Sequence, residues 1–438
     1  MKQLILTIIA TLLALASVDA RPKPLKAWSE GTMDIHHIST GRGPAIFFIL
    51  PDGTRMLVDA GDLGDPSRWT HKTIMPAVPN ASKTPAEWIA RYIEHFSKPL
   101  NKDLYIDYAL ITHFDSDHIG YCDHTAIDVE GKPYKYIGIS HLVNLVPIHT
   151  LIDRGYPNYD YPSVAIMAKR NHMSFPNYKL MVEERDRLGL KNEQFKVGSS
   201  SQLVLKSRAD KYPTFRIQNV AGNGLIWTGN KTETRAISDQ YPKGHLSENS
   251  SSCVLRLNYG NFAYYMGGDI SGGYSKEAIA KAPWKDMQSA VAKVIGEVDV
   301  ALADHHGYAD SMNENLLKAL NTNVIVLPIW DLYHPHPKAM KRIVDNNVPH
   351  IYPAGITEAR LAEMKEKGLA DNIRKDGHIV VRVYEGGKKY QIFVLNDRSL
   401  DYEVIYKSKV FKAKGERYQI GRAKQFRIYF GCTTVNFP

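Results

Sequence analysis

The sequence has little cysteine, with only Cys122, Cys253 and Cys432 among 438 residues. Three cysteines cannot build a disulfide framework, because at most one bridge forms and one thiol is left over. The chain also lacks low-complexity tracts and visible internal repeats. With 44% hydrophobic and 10% aromatic residues, the composition is typical of a folded protein with one large or two ordinary domains.

Long apolar runs are absent except at the start, where residues 4–15 follow the positive charge of Lys2. This run is too short to span a bilayer comfortably, and residues 16–20 end in small side chains, with Val18 and Ala20 at cleavage-site spacing. We therefore predict a signal peptide over residues 1–20. The mature protein would be periplasmic or extracellular, without stable membrane association. An uncleaved membrane anchor is the alternative.

The formal net charge is +9, and the lysines and arginines are spread widely along the chain. A basic surface suits an anionic partner such as nucleic acid, or an acidic cell envelope. Solubility alone is the simpler explanation, so charge supports a nucleic-acid substrate only modestly. The sequence does not indicate an oligomeric state.

Strand-like runs that end in polar loops alternate with helical segments, which indicates an α/β fold. One helix start is specified locally. Thr84 is suited to the N-cap, Pro85 to the first turn, and Glu87 to the return contact of a capping box. The predicted helix ends near Ser97.

The most informative segment is residues 112–120, which follows a strand-like run at residues 105–111. His113, Asp115, Asp117 and His118 place four candidate ligands within six residues. Imidazole nitrogens and carboxylate oxygens are common metal ligands, and clustered carboxylates repel each other unless a cation lies among them. The spacing therefore predicts a metal site.

This loop resembles that of the metallo-β-lactamase superfamily, which usually reads His-x-His-x-Asp-His. Asp115 stands at the second histidine, and this variant is most similar to the metallo-hydrolase domain of the ComEC DNA-uptake family. Further matching segments follow the family's order. They are Leu-Val-Asp-Ala-Gly-Asp (57–62), Asn-Ser-Ser-Ser-Cys-Val-Leu-Arg-Leu (249–257), Tyr-Tyr-Met-Gly-Gly-Asp-Ile (264–270), Asp-Val-Ala-Leu-Ala-Asp-His-His-Gly (299–307) and His-Pro-His-Pro (334–337).

The resemblance covers roughly residues 30–395 and implies a four-layer αββα sandwich with the metal site at one edge of its two sheets. The expected hydrolase domain spans residues 27–396, with an inserted segment at about 121–245 that we expect to influence specificity. Residues 397–438 form a C-terminal extension to which no role is assigned.

The resemblance also implies two divalent ions, zinc or manganese. Manganese is a candidate beside zinc because Asp115 makes the site richer in oxygen. The expected ligands are His113, Asp115, Asp117, His118, Asp269 and His306. His305 is the alternative to His306. Asp59 is expected to orient the loop, and His334 to donate a proton or hold an oxyanion. Asn249 or a nearby serine is expected to stand where the family has another histidine.

In the expected reaction, a metal-activated water attacks the substrate, and Asp117 orients the water or accepts its proton. A phosphodiester, with nucleic acid as one candidate, is the favoured substrate because of the loop variant and the basic charge. Hydrolysis of a β-lactam, lactone or other ester is an alternative. A non-catalytic binding protein on the same fold is the third hypothesis.

Overall fold

A computed structural model describes residues 23–64, 73–100, 102–167, 173–242 and 244–415. The expected signal peptide and Cys432 lie outside these ranges. Within the described ranges, no helix combines the length and the apolar character needed to cross a bilayer.

The described residues form two large sheets with helices against them. The strands, in chain order, are β1 (Met33–His37), β2 (Ile46–Ile49), β3 (Arg55–Val58), β4 (Ile106–Ile111), β5 (Ile148–Asp153), β6 (Lys191–Gln194), β7 (Arg216–Gly222), β8 (Leu225–Trp227), β9 (Thr234–Ala236), β10 (Val254–Tyr259), β11 (Phe262–Met266), β12 (Val300–Leu302), β13 (Val324–Pro328), β14 (His350–Ala354), β15 (His378–Val383), β16 (Lys389–Leu395), β17 (Val404–Lys407) and β18 (Phe411–Lys412).

The α-helices, in chain order, are α1 (Pro85–Ser97), α2 (Ser116–Ile119), α3 (Gly138–Leu145), α4 (Val164–Met167), α5 (Ser174–Arg187), α6 (Ile237–Gln240), α7 (Lys276–Lys281), α8 (Met287–Ile295), α9 (Glu314–Leu320), α10 (Pro337–Asp345) and α11 (Glu358–Glu366).

The first sheet has the order β17-β16-β15-β1-β2-β3-β4-β5-β6, and β18 pairs with β16. Strands β3 to β6 are parallel, whereas β15, β1, β2 and β3 pair antiparallel. The second sheet has the order β14-β13-β12-β11-β10-β7-β8-β9. Its strands β11 to β14 are parallel, and β11, β10 and β7 pair antiparallel.

Neighbouring residues of β2 show how the layers arise. Phe48 packs into the core between the sheets with Leu255 of β10. Phe47 belongs to a separate cluster with Ile89 of α1 and Leu142 of α3. Because successive side chains on a strand point to opposite faces, one strand contributes to two apolar layers. Burial of each such phenylalanine stabilises the fold by roughly 1.5–3 kcal/mol.

The second sheet carries its own helices on the face away from the first. Ile325 of β13 packs with Val291 of α8, Leu317 of α9 and Met340 of α10. Together with the inter-sheet core, this gives the order helix, sheet, sheet, helix. The predicted α/β class and αββα layering are therefore confirmed.

The helix predicted from Thr84 onward is confirmed as α1. Glu87 N donates to Thr84 Oγ1 at 3.2 Å, and Thr84 N donates to a Glu87 carboxylate oxygen at 2.8 Å. These reciprocal bonds satisfy backbone donors that the first helical turn would otherwise leave unpaired.

The predicted insertion and extension both contribute strands to the sheets. Residues 121–245 supply β5 and β6 to the first sheet and β7, β8 and β9 to the second. The range 397–438 supplies β17 and β18. The domain boundaries drawn from the sequence stay predictions.

Several functional segments follow the carboxyl ends of strands. Residues 112–120, called the metal loop below, follow β4, and Asp59 follows β3. The Gly-Gly-Asp segment follows β11, and the His-His-Gly segment follows β12. Strands β3 and β4 are parallel neighbours, as are β11 and β12. Cys253 N donates to Thr112 O at 2.9 Å and joins the two sheets at this edge. All four segments therefore meet at one place.

Candidate metal centre

Four of the predicted ligands form a tight buried cluster. One nitrogen or carboxylate oxygen from each of Asp117, His118, Asp269 and His306 lies within 4.8 Å of all the others. His306 Nε2 is 2.9 Å from Asp117 Oδ2 and 3.1 Å from Asp269 Oδ2. His118 Nε2 is 3.3 Å from Asp269 Oδ1. Two imidazoles and two carboxylates are a donor set that zinc and manganese both accept.

Neighbouring groups fix which ring nitrogen faces the cluster. His118 Nδ1 lies 2.7 Å from Asp59 Oδ2, and His306 Nδ1 donates to Pro328 O at 2.9 Å. The Nε2 atoms of both histidines are fully buried and have no hydrogen bond among the described residues. A histidine held in this way presents the lone pair of its free nitrogen to a cation, so these residues fit a divalent metal.

Asp59 lies behind the cluster. Its carboxylate accepts from Thr112 N and from Thr112 Oγ1, both at 2.8 Å, in addition to its contact with His118. The chain can approach closely here because Gly61 has no side chain; a Cβ at this position would clash with the carbonyl oxygen of Asp117. The structure therefore places Asp59 where it can hold both the loop and one imidazole.

The protonation of the cluster reflects its mixed charge. Burial by itself lowers the pKa of His306, but the Asp269 and Asp117 carboxylates outweigh it and raise the pKa to about 9. Burial opposes charge on His118 too, yet Asp269, Asp117 and Asp59 raise its pKa well above the usual value. Burial by itself raises the pKa of Asp269, but the neighbouring His306 and His118 outweigh burial and lower it. A cation binding here must displace protons from the imidazoles.

The remaining predicted ligands lie more loosely around the same carboxylate. His113 Nε2 is 3.7 Å from Asp115 Oδ2 and 3.9 Å from Asp269 Oδ2. His113 Nε2 is also buried without a hydrogen bond. His305 Nε2 lies 4.0 Å from Asp269 Oδ2 and 3.1 Å from Asn249 Nδ2. Asp269 thus touches both groups of ligands and can bridge two cations.

His305 and His306, which the sequence left as alternatives, both turn toward Asp269. They have φ values of 45° and 54°, in the left-handed region that side-chain-bearing residues rarely adopt. Each such residue costs on the order of 1–3 kcal/mol unless its surroundings stabilise it. His306 belongs to the tight cluster, and His305 lies on the looser side with Asn249.

A cavity of about 690 Å³ opens beside the cluster, with His305, His306 and His334 in its wall. The His334 ring stacks on the His306 ring, with centroids 5.2 Å apart and planes inclined by 15°. Burial and, secondarily, the proximity of His306 lower the pKa of His334 well below its usual value. His334 is therefore a neutral group facing the cavity, suited to donating a hydrogen bond rather than carrying a charge.

Sequence reasoning missed other residues that shape the cavity and the loop. Tyr308, Trp330 and Arg360 also line the cavity. Glu248 accepts a hydrogen bond from Phe114 N at 2.8 Å, inside the metal loop. These residues carry no motif of their own; the only local signal was that Glu248 immediately precedes Asn249.

Comparisons with known proteins give remote structural similarity. No protein-family model matches the sequence, and no curated protein matches it. Among solved structures, a protein from Parabacteroides distasonis described as a metal-dependent hydrolase aligns with 13% identity and a TM-score of 0.28, over 78% of this chain and 90% of that one. A diphosphatase of the PhnP family aligns with 9% identity and a TM-score of 0.33, over 80% and 96%.

A third solved structure, the hydrolase AbOPH of the β-lactamase superfamily, aligns with 11% identity and a TM-score of 0.28, over 57% of this chain and 66% of that one. TM-scores this low do not assign a fold by themselves. The αββα description therefore rests on the sheet order, the three apolar clusters and the position of the ligand cluster.

Proposed function

We propose that this protein is a metal-dependent hydrolase of the metallo-β-lactamase superfamily that cleaves a phosphodiester. The buried cluster of Asp117, His118, Asp269 and His306 is the observation that carries the proposal. Without a cation, the two imidazoles must hold protons to balance the two buried carboxylates, and a divalent ion supplies the same positive charge. A cluster of this composition at the edge of an αββα sandwich supports hydrolysis better than a binding role.

Divalent ions in such a site lower the pKa of water and stabilise negative charge that develops on the substrate. The side chains divide the remaining tasks. Asp117, whose side chain is 14% exposed, lies 2.9 Å from His306 Nε2, where it can orient the attacking water and accept its proton. Neutral His334 can donate a hydrogen bond to an oxygen that becomes charged.

Two features support a phosphodiester substrate. Asp115 adds an oxygen ligand near His113, and oxygen-rich sites favour harder cations such as manganese, which pair with phosphate. The net charge of +9 favours an anionic partner. The similarity of the loop to the ComEC type agrees with this choice, and nucleic acid is one candidate polymer.

Hydrolysis of bis(p-nitrophenyl) phosphate tests the proposal. The protein is first stripped with a chelator, then assayed with zinc or manganese, beside Asp117→Ala and the matched surface control Asp128→Ala. We expect turnover only with metal, a loss of at least about 100-fold in Asp117→Ala, and no loss in the control. Turnover of a lactone or β-lactam but not of the phosphodiester would replace the substrate assignment. Stoichiometric metal without any hydrolysis would favour a binding protein.

We also propose that the protein is exported after cleavage behind Ala20. The support is the charge at Lys2, the apolar run at residues 4–15 and the small residues before position 21. Amino-terminal sequencing of protein recovered from outside the cytoplasm tests this. A product that begins at Arg21 agrees with export, whereas retention of Met1 in a membrane fraction indicates an uncleaved anchor.

A further inference from the structure

The looser side of the site, around His113, Asp115 and Asp269, has a single nitrogen ligand if His113 is its only histidine. The loop has Asp115 where a second histidine is usual, and the upstream segment has Asn249 in place of another. His245, the nearest upstream histidine, is exposed to solvent. A cation held by His113, Asp115 and Asp269 alone would have three protein ligands.

His305 lies beside these three residues and offers a fourth ligand. Its Nε2 is 4.0 Å from Asp269 Oδ2, the same oxygen that lies 3.9 Å from His113 Nε2. Ligand atoms that share one cation at bond lengths of roughly 2.0–2.2 Å are roughly 3–3.6 Å apart. The separations of the His305 and His113 nitrogens from Asp269 Oδ2 exceed this by only a few tenths of an ångström, so a small side-chain rotation brings each nitrogen to ligand distance from this oxygen.

The orientation of the His305 ring also suits a ligand. Its Nδ1 lies 2.7 Å from Asp310 Oδ1, so a proton on Nδ1 is held by that carboxylate. The Asn249 amide nitrogen lies 3.1 Å from Nε2 and donates to it, which makes Nε2 the nitrogen that carries the lone pair. A carboxylate behind a histidine whose other nitrogen has its lone pair available is the usual support of a metal-ligating imidazole.

The backbone conformation gives a separate reason to regard His305 as a ligand. His305, His306 and Gly307 are consecutive left-handed residues, with φ values of 45°, 54° and 75°. The glycine adopts this conformation freely, but the two histidines do not. If only the His306 ring had to face the site, a left-handed backbone conformation at that residue alone would suffice. Strain at both positions turns both rings toward Asp269.

We propose that His305 is the missing nitrogen ligand of a first cation, which it holds with His113, Asp115 and Asp269. The second cation is held by Asp117, His118, His306 and the same Asp269 carboxylate, whose Oδ1 faces His118 and whose Oδ2 faces His306. Asp310 is a positioning residue for His305, and Asn249 occupies the Nε2 lone pair until a cation takes it. The two adjacent histidines thus serve two different ions. The proposal concerns metal binding and is independent of the substrate.

The test is a count of bound metal. Full-length mature protein is stripped with a chelator and reloaded with zinc or manganese, and the ions retained after gel filtration are counted by elemental analysis. The variants are His305→Asn, His306→Asn and the exposed control His149→Asn. Asparagine tolerates a left-handed backbone better than most residues, and near-ultraviolet circular dichroism checks that each variant folds.

We expect two ions per chain in the wild type and the control, and one ion in each of the His305 and His306 variants. Asp310→Asn should retain two ions but bind the first about 10–100-fold more weakly. Visible absorption of cobalt-loaded protein should differ between the two histidine variants, because each keeps a different site. Two tightly held ions in folded His305→Asn would overturn the proposal, as would a single ion in the wild type. The number of bound ions is measured without any substrate, so the test is valid even if the protein has no hydrolytic activity.

Discussion

Arg154 and Glu248 form a buried ion pair in which Nε and Nη2 of the arginine contact separate carboxylate oxygens, at 2.7 and 2.5 Å. Glu248 also accepts from Phe114 N, and the Arg154 guanidinium lies 4.6 Å above the centre of the Phe114 ring. Phe114 stands between the candidate ligands His113 and Asp115. The pair therefore holds the metal loop from behind.

We predict that Glu248→Gln destabilises the protein by about 3–5 kcal/mol, because it leaves the Arg154 guanidinium buried without a counter-charge. Metal affinity should fall as well, since the loop loses its anchor. Urea unfolding of the metal-free and metal-loaded protein measures both effects. Glu183→Gln, at an exposed ion pair with Lys179, is the control and should change stability by less than about 1 kcal/mol. An equally small change in Glu248→Gln would contradict the role assigned to the pair.

Asp59→Asn should weaken metal binding by about 10–100-fold while the protein stays folded. Asparagine preserves the shape and tolerates the φ of 57° at this position. However, its amide can donate to His118 Nδ1, which shifts the imidazole proton to Nε2 and blocks the lone pair that faces the cluster. Competition with a chromophoric chelator measures the affinity. Unchanged affinity would show that Asp59 does not set the tautomer, and Asp128→Asn controls for the loss of one carboxylate.

Metal binding should release protons, with an affinity that rises with pH. The pKa of His306 is about 9 and that of His118 is also raised, so both rings hold protons at neutral pH and a cation must displace them. Affinity should therefore increase with pH, by up to about tenfold per pH unit for each proton displaced, and the contribution of His306 should end near pH 9. Calorimetry in two buffers with different ionisation enthalpies counts the protons. Identical heats in both buffers would contradict the prediction.

Local sequence specified the elements whose signals are contiguous. The capping box of α1 and the ligand-rich loop after β4 are each encoded within a few neighbouring residues, and the structure has both. Glu248 and Arg154 are 94 positions apart, so their pairing has no local signature. The edge strand β6, Lys-Asn-Glu-Gln, lacks the apolar alternation that marks a strand.

The adjacent histidines His305 and His306 show a different limit of prediction from sequence. The sequence places them after a strand, but which ring faces the site depends on backbone angles that non-glycine residues rarely adopt. Two left-handed residues in a row cannot be inferred from residue type. The expectation of one ligand from the pair came from the family resemblance, which did not decide between His305 and His306.

Burial of His37 makes the stability of the fold depend on pH. Both ring nitrogens are buried without hydrogen bonds, and burial lowers its pKa to about 3. The unfolded chain binds a proton near pH 6.5, whereas the folded protein does not until about pH 3. Stability is therefore complete above pH 6.5 and falls as the pH decreases toward 3, by an amount on the order of a few kcal/mol.

We predict that His37→Phe reduces this loss, because phenylalanine keeps the ring that packs near Tyr264, at 5.9 Å between centroids, and takes up no proton. Urea unfolding at pH 7.5 and pH 5.5, with chelator present, should show a smaller difference between the two pH values in His37→Phe than in the wild type. The residual slope should reflect the other histidines with shifted pKa values, among them His378, whose pKa burial also lowers to about 3, and the cluster residues His118 and His306, whose raised pKa values act in the opposite direction. His149→Phe, at an exposed position, should keep the wild-type slope. Equal slopes in His37→Phe and the wild type would mean that the folded protein protonates His37 as readily as the unfolded chain, which its burial without a hydrogen-bond partner argues against.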